Sequence, residues 1–538
     1  MNGEDNRIAT DSAAVALWTT VSRLTGFARG AVIAAVLGPT YFANTFQATN
    51  LLPNLTYELL TGSLFASLLM PHLVRHLDVG DETSARRVAG GFLGITMVGF
   101  VVLTVGAVVT APLLLRLFSV GVATPEIGGA QRRVGVVLMA MLMPQVVLYA
   151  VAGTSGAVLN ARGRFGLAAA APAFENLGMI VTLGVSAVVF GTAPDLETVR
   201  LPHLLLLGLG TTAAVGLHAG ALWWGTWRVG VGVRPLAGWR DGEVRELVRR
   251  MVPSLGYAGL NVVRLFAVLV VANRVPGGVV AFQLALNFFY LPVALGARPV
   301  AVALLPRLAR LHRDGASAPF RQELRRGMSM ILFLTTPAAV AYATLATPLA
   351  AAVAFGEMST AAGRELVAVS LLALSLGVVG EGTFIMATYA SYAQDDAAAP
   401  FRSSLLRTGV VLVGMAVAFT QRGPAVLVAL GVALSVSNLL AAAHLGARLS
   451  RALPRDDRGL APAVLRAVAA ALLMAVPSTL VARFLSRVVP GRPGDVAGVL
   501  LASAVGALAY LGVQGASRSP EMRWLAGTYG RLRPGGRS

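Results

Sequence analysis

Long apolar stretches, each bounded by charge, proline or glycine, recur from one end of the chain to the other. A helix rises about 1.5 Å per residue and satisfies its own backbone hydrogen bonds, so about 20 apolar residues cross the ~30 Å hydrocarbon layer of a bilayer. Marking each stretch predicts about fourteen transmembrane helices, near residues 12–38, 43–74, 88–115, 134–160, 165–190, 202–227, 247–273, 278–306, 327–355, 364–391, 404–421, 424–447, 462–482 and 495–514. The second, seventh and eighth are the least clean. The expected fold is an all-α integral membrane protein, and an even number of spans places both termini on one side.

Composition agrees. Of 538 residues, 56% are hydrophobic and 13% charged, against roughly 25% charged in soluble domains. There is no Cys, which excludes disulfides and thiolate metal sites. A formal net charge of +19 would suggest nucleic acid in a soluble protein, but the charges sit between the apolar stretches. All 44 basic residues are Arg, and about 30 of them fall on the side of the termini, chiefly in 228–250, 307–326, 448–466 and 518–537. About ten fall on the other side, and Arg23, Arg29, Arg264 and Arg298 lie within spans. Cytoplasmic loops are enriched in this way, so the bias predicts a multi-pass protein with both ends cytoplasmic, and nucleic acid is excluded as a partner. The opening MNGEDNRIATDSAA carries Glu4, Asp5 and Asp11 without a basic stretch or a small-residue cleavage site, so the first span is read as permanent.

Two segments repeat about 235 residues apart, MPHLVR at 70–75 and LPRLAR at 305–310, and AAAPAF at 169–174 is echoed by AAAPF at 397–401. The order predicts a duplicated bundle: residues 1–228 with six helices, a cytoplasmic linker at 229–246, a second six-helix bundle at 247–455, and two further helices with a cytoplasmic tail at 456–538. Helix breakers match across the halves. Pro53, Asn54 and Gly62 fall in one span and Pro292, Gly296 and Pro299 in its counterpart, which predicts interrupted helices beside a wet cavity.

Charges inside spans carry the chemistry. An Arg at a helix centre costs about 2.5–3.5 kcal/mol on insertion scales, so it defaults to a functional role. Arg23 and Arg29 stand in SRLTGFARG, six positions and about 240° apart on a straight helix, so both face one cavity only if Gly26 allows a bend. Glu58, Glu175, Arg264, Arg298 and Glu381 are the other span charges, for which a structural ion pair competes with a substrate role. Unpaired guanidinium groups in a low-dielectric chamber suit a phosphate or diphosphate. The six His form no spaced pair with carboxylates on a span, so neither metal nor cofactor is expected.

The stretch SRLTGFARGAVIAAVLGPTYFANTFQATNLLPNLTYELLTGSLFASLLMPHL at 22–73 resembles the opening of the MurJ/MviN family of lipid II flippases, within the multidrug/oligosaccharidyl-lipid/polysaccharide exporter superfamily. GFAR, LPN followed by YELL, and the closing MPHL carry the resemblance, with ALLPRL at 303–308 and LNARGRF at 159–165. It implies a V-shaped pair of bundles around a cationic cavity that carries a polyprenyl-diphosphate-linked peptidoglycan precursor across the bacterial cytoplasmic membrane by alternating access. The family's two essential first-helix arginines map onto Arg23 and Arg29. Tyr57 and Asn287 stand where many members have Arg, Gly30 and Asn44 where many have Asp, and Arg264 and Arg298 are candidates to compensate. The acid-free span at 404–421 does not carry the sodium site of some members.

The expected substrate-binding set is therefore Arg23, Arg29, Tyr57, Glu58, Arg264, Asn287 and Arg298. Expected partners are a lipid II-like anionic lipid, the bilayer itself and proteins of cell-wall synthesis. The rival readings are an exporter of another lipid-linked oligosaccharide or a drug, and a non-transporting scaffold. A glycosyltransferase would need acidic or metal-binding residues on large outer loops, whereas these loops are short and offer only Asp195, Glu197 and Glu357.

Overall fold

The computed structural model describes residues 2–61, 69–454 and 459–524, with the side chains of 2–14, 16, 56–61 and 250–261 outside the described set. Among the described residues the regular elements are all helical. They divide into two compact units, Met1–Val280 with Gly356–Met358, and Ala281–Phe355 with Ser359–Ser538.

The first unit holds α1 (Asn2–Leu37), α2 (Tyr41–Thr61), α3 (Met70–Asp78), α4 (Glu82–Phe118), α5 (Pro125–Leu142), α6 (Gln145–Ala161), α7 (Phe165–Phe190), α8 (Leu201–Arg228) and α9 (Gly242–Ala272), and ends just inside α10 (Gly278–Pro292). The second continues through α11 (Arg298–Arg313), α12 (Ser317–Thr344), α13 (Ala346–Val353), α14 (Ala361–Leu374), α15 (Gly377–Tyr392), α16 (Ala398–Thr420), α17 (Ala425–Ala452), α18 (Ala461–Val488) and α19 (Arg492–Ala516).

Each of the fourteen predicted stretches falls on one or more of these helices. Among the described residues, eleven are long and apolar enough to cross a membrane, and α14 with α15, bent by 43°, makes a twelfth. The other two stretches are described only in part: the second contains residues 62–68, and the seventh the side chains of 250–261, which lie outside the description, and the described remainder of the seventh is the apolar segment Val262–Ala272 of α9.

Large apolar side chains point outward along the spans, with Val102 and Val109 of α4, Leu465 of α18 and Leu508 of α19 all more than 60% exposed. A protein whose outer surface is this apolar is solvated by lipid. Small residues fill the interior instead. In the first unit Ala152, Leu159, Ala171, Ala219 and Leu222 bring α6, α7 and α8 together. A Cβ on Gly178 would stand 2.8 Å from that of Ala214, so α7 and α8 touch nearly backbone to backbone. In the second unit Met330, Phe333, Ala470, Ala471, Met474 and Tyr510 join α12 to α18 and α19, and Tyr510 donates to the Phe333 carbonyl at 2.9 Å.

The two sets of helix breakers behave differently. After Pro292 the chain makes one π-helical turn at Val293–Ala297 before α11 begins, as an interrupted span should. By contrast α2 runs unbroken through Pro53 to Thr61, and Gly62 lies outside the described residues.

Residues between α8 and α9 lie flat on α4. Leu236 donates to the Gly90 carbonyl at 2.9 Å, and a Cβ on Gly94 would sit 1.9 Å from the Leu236 oxygen. Gly90, Gly91 and Gly94 thus form a side-chain-free groove on one helix face. Asp241 then caps α9 by accepting from the Glu243 and Val244 amides at 2.9 and 3.3 Å. Glu243 in turn holds His72 Nδ1 at 2.7 Å and His76 Nε2 at 3.2 Å, anchoring α3.

Candidate functional site

Ser22, Thr25, Gly26 and Arg29 recur at helical spacing and form the stripe of α1 that faces α7. Gly26 leaves room for Asn176, whose amide nitrogen is 3.4 Å from the position of a Cβ there. Asn176 Nδ2 donates to the Ser22 carbonyl at 3.2 Å and to Thr25 Oγ1 at 3.1 Å. The expected hinge at Gly26 is therefore a close-packing point in a helix that continues from Asn2 to Leu37.

One residue before Asn176, Glu175 turns its carboxylate to Arg29. Arg29 Nη1 donates to Glu175 Oε1 at 3.2 Å, and the two side chains are 26% and 10% exposed. Tyr149 Oη lies 3.0 Å from the same oxygen and 2.7 Å from Asn54 Oδ1, while His218 Nδ1 lies 2.9 Å from Glu175 Oε2. Four helices, α1, α6, α7 and α8, thus meet at one carboxylate, and α2 joins them through Tyr149. A carboxylate this buried is held by charge-assisted hydrogen bonds, since desolvation otherwise disfavours it.

This corrects the expectation of two unpaired guanidinium groups. Arg29 is paired, by one nitrogen on one oxygen, and a guanidinium has five N–H donors, so the contact leaves most of its fork for an anionic ligand. Arg23 is exposed, about 100° round α1 from Ser22, and pairs with no described side chain.

The remaining predicted residues divide between the units. Arg264, on α9 in the first unit, is half-buried and engaged in an interaction. Tyr57 and Glu58 lie on α2, with side chains outside the described residues. In the second unit, Asn287 is half-buried on α10 and Arg298 is exposed at the first position of α11, directly after the π turn.

Several partners were not legible in the sequence. Glu175 was visible as a span charge, but Tyr149, His218 and Asn54 are ordinary polar residues until packing brings them together. Arg407 was counted among loop arginines. It is buried within α16, with Nη2 2.5 Å from Glu381 Oε2 on α15 and its guanidinium 5.6 Å from the centre of the Phe384 ring. The ion-pair reading of Glu381 therefore holds. Asn44 sits in a closed amide network, donating to Asn273 Oδ1 at 3.1 Å and the Val275 carbonyl at 2.8 Å and accepting from the Val279 amide at 3.0 Å. Asn273 also exchanges hydrogen bonds with Gln131 at 2.9 and 3.0 Å.

A family model described as lipid II flippase MurJ matches residues 33–492, beginning just after Arg29. A probable lipid II flippase MurJ from Haemophilus influenzae is 28% identical over 349 residues, 62% of this chain and 65% of that protein, just under two thirds of its length. Another from Vibrio cholerae serotype O1 is 25% identical over 408 residues, 74% of this chain and 75% of that protein. The solved structure of lipid II flippase MurJ in an inward closed conformation superposes with a TM-score of 0.71 at 16% identity, covering 93% of this chain and 98% of that one. An inward-facing multidrug resistance MATE family transporter of the MOP superfamily gives a TM-score of 0.62 at 16% identity, covering 80% and 95%. At such identities the superpositions speak to fold alone.

Proposed function

This chain belongs to the lipid II flippase MurJ family, and from that premise we propose that it moves lipid II from the inner to the outer leaflet of the bacterial cytoplasmic membrane, with both termini in the cytoplasm. The observation that carries the reading is Arg29, a half-buried guanidinium inside a span whose single described carboxylate contact occupies one of its nitrogens. Arg23 lies six positions earlier on the unbroken α1, about 9 Å along the helix axis and about 120° round it, so it adds positive charge near the headgroup without sharing the face of Arg29. The unused donors of Arg29 then meet a phosphate, and the prenyl chain stays in lipid. Flipping makes and breaks no covalent bond, so the protein acts as a carrier and not as an enzyme. Peptidoglycan synthesis on the outer face consumes what it delivers, which makes cell-wall synthesis proteins its natural neighbours.

Release of the headgroup leaves net positive charge on the carrier, and moving one elementary charge is worth about 2.3 kcal/mol per 100 mV. An inside-negative potential therefore favours return of the unloaded form. The test is lipid II flipping by purified protein in vesicles, together with rescue of bacteria depleted of their own flippase. Replacing Arg23 or Arg29 by Gln removes a charge-assisted contact worth about 1.5–3 kcal/mol, a loss of about tenfold to a hundredfold in affinity. Unchanged transport by the R23Q/R29Q protein overturns the assignment.

A further inference from the structure

Four of the six Trp, at 223, 224, 227 and 239, gather where α8 ends and the segment toward α9 begins. Each is 42–55% exposed, and Leu236 in the same segment is 47% exposed. Trp223 Nε1 donates to the Val233 carbonyl at 2.8 Å and the Val233 amide donates to Thr226 Oγ1 at 3.3 Å, so residues 231–234 fold back on the last turns of the helix. Gly232 lies against the Trp227 ring, where a Cβ would come within 2.7 Å of it. The fold-back carries the Arg234 guanidinium to 4.9 Å from the centre of the Trp227 ring, while that of Arg228 stands 4.5 Å from the centre of the Trp224 ring.

Neither arginine pairs with a carboxylate among the described residues, and stacking on an indole takes up none of a guanidinium's five N–H donors. Trp224 and Trp227 are neighbours three positions apart on the helix, so two cations with donors to spare stand over adjoining rings. The surface below them is apolar. Leu217, which is 59% exposed, falls with Trp224 and Arg228 in a stripe about 40° wide and about 16 Å long on α8. A stripe with an aliphatic side chain at one end and a guanidinium at the other matches an amphiphile with a negative head. A free phosphate or an acidic peptide would use the cations and leave the apolar part empty.

We propose that the Trp224–Arg228 and Trp227–Arg234 pairs form a binding site for the headgroup of an anionic membrane phospholipid of the phosphatidylglycerol type. Arg228 lies ten positions, about 15 Å, beyond His218 on the same helix, so this site is distinct from that of Arg29 and does not depend on what the carrier transports. A phosphodiester carries one negative charge at cellular pH and offers two unesterified oxygens, which planar guanidinium donors match. The indoles sit at headgroup level, as Trp does where a span leaves the hydrocarbon, and the acyl chains lie along Leu217. A lipid held there fixes the end of α8 to the bilayer surface, beside the segment that crosses the glycine groove of α4.

Tryptophan fluorescence of the purified full-length protein in phosphatidylcholine nanodiscs tests the site, using phosphatidylglycerol brominated on its acyl chains, because bromine quenches only the indoles it touches. At equal mole fraction, brominated phosphatidylglycerol should quench more than brominated phosphatidylcholine, and Trp224→Phe should remove the selectively quenched part of the emission. The R228Q/R234Q protein keeps all its Trp and should lose the preference, about fivefold for each arginine. R228K/R234K, which keeps both charges, should retain most of it. R310Q/R313Q, which removes the same charge from exposed positions on α11, should bind as wild type does. Equal quenching by the two lipids overturns the proposal. So does a preference that survives in R228Q/R234Q or that R310Q/R313Q abolishes as well, since either marks diffuse surface charge. Reversal of the quenching by excess inorganic phosphate overturns the lipid as occupant. No lipid II enters the measurement, so each of these results leaves the lipid II reading standing.

Discussion

Arg29 and Glu175 meet at 3.2 Å across the seam where α1 packs on α7, 146 residues apart in the chain, and the carboxylate is shared with Tyr149 and His218. Removing one member of such a pair exposes the other's desolvation cost, whereas removing both charges together does not. Arg29→Ala should therefore destabilise the protein in detergent by about 1–3 kcal/mol, allowing for the partial exposure of the guanidinium. The R29A/E175Q protein should recover much of that loss while remaining defective in flipping. Strictly additive losses in thermal unfolding would show that the two do not interact.

Asn44 should resist replacement by Asp, which keeps its shape but not its amide donor. Its amide nitrogen serves two buried acceptors, Asn273 Oδ1 and the Val275 carbonyl, and Asp offers no donor to either. Each buried group left without its partner costs about 1–3 kcal/mol. Asn44→Asp is expected to lower the unfolding midpoint markedly, and an unchanged midpoint would mean the network contributes nothing.

Glu243 sets a pH dependence outside the spans. Burial acts to raise its pKa, but hydrogen bonds from His72 and His76 outweigh burial and hold the carboxyl below its ordinary value of 4.5. A carboxyl depressed in the folded state contributes stability that is fully present above its ordinary value and is lost as pH falls through the folded one. The gap in unfolding midpoint between wild type and Glu243→Gln should be steady near neutrality and shrink below pH 4.5. A gap independent of pH would disprove the anchoring by these histidines.

Gly94→Ala should lift the segment between α8 and α9 from its groove, since the new methyl would lie 1.9 Å from the Leu236 oxygen, a rigid backbone atom. Limited proteolysis is expected to cut within 229–241 in this variant sooner than in wild type. Gly99→Ala on the same helix, where nothing lies within 4 Å, is the control and should leave the cleavage rate unchanged.

Positions of the spans, their apolar outer faces and the two first-helix arginines were readable from the residues themselves. Crossing a bilayer imposes a length and a composition on each segment separately, and an Arg in such a segment stands out without reference to any neighbour. The motifs of residues 22–73 likewise pointed to a family whose model begins matching at residue 33. Counter-ions were another matter. Nothing local distinguishes Glu175 from a substrate ligand, His218 from a packed polar residue, or Arg407 from a loop cation, because their partners lie on other helices, from 26 residues away for Glu381 and Arg407 to 146 for Arg29 and Glu175.

Asn44 makes the same point at a separation of 229 residues from Asn273. Even Gly26, conspicuous as a hinge in the sequence, proved to be the gap into which Asn176 fits. Which polar groups face one another within a membrane is decided by helix packing, since lipid cannot hydrogen-bond them and each must find its partner inside the protein.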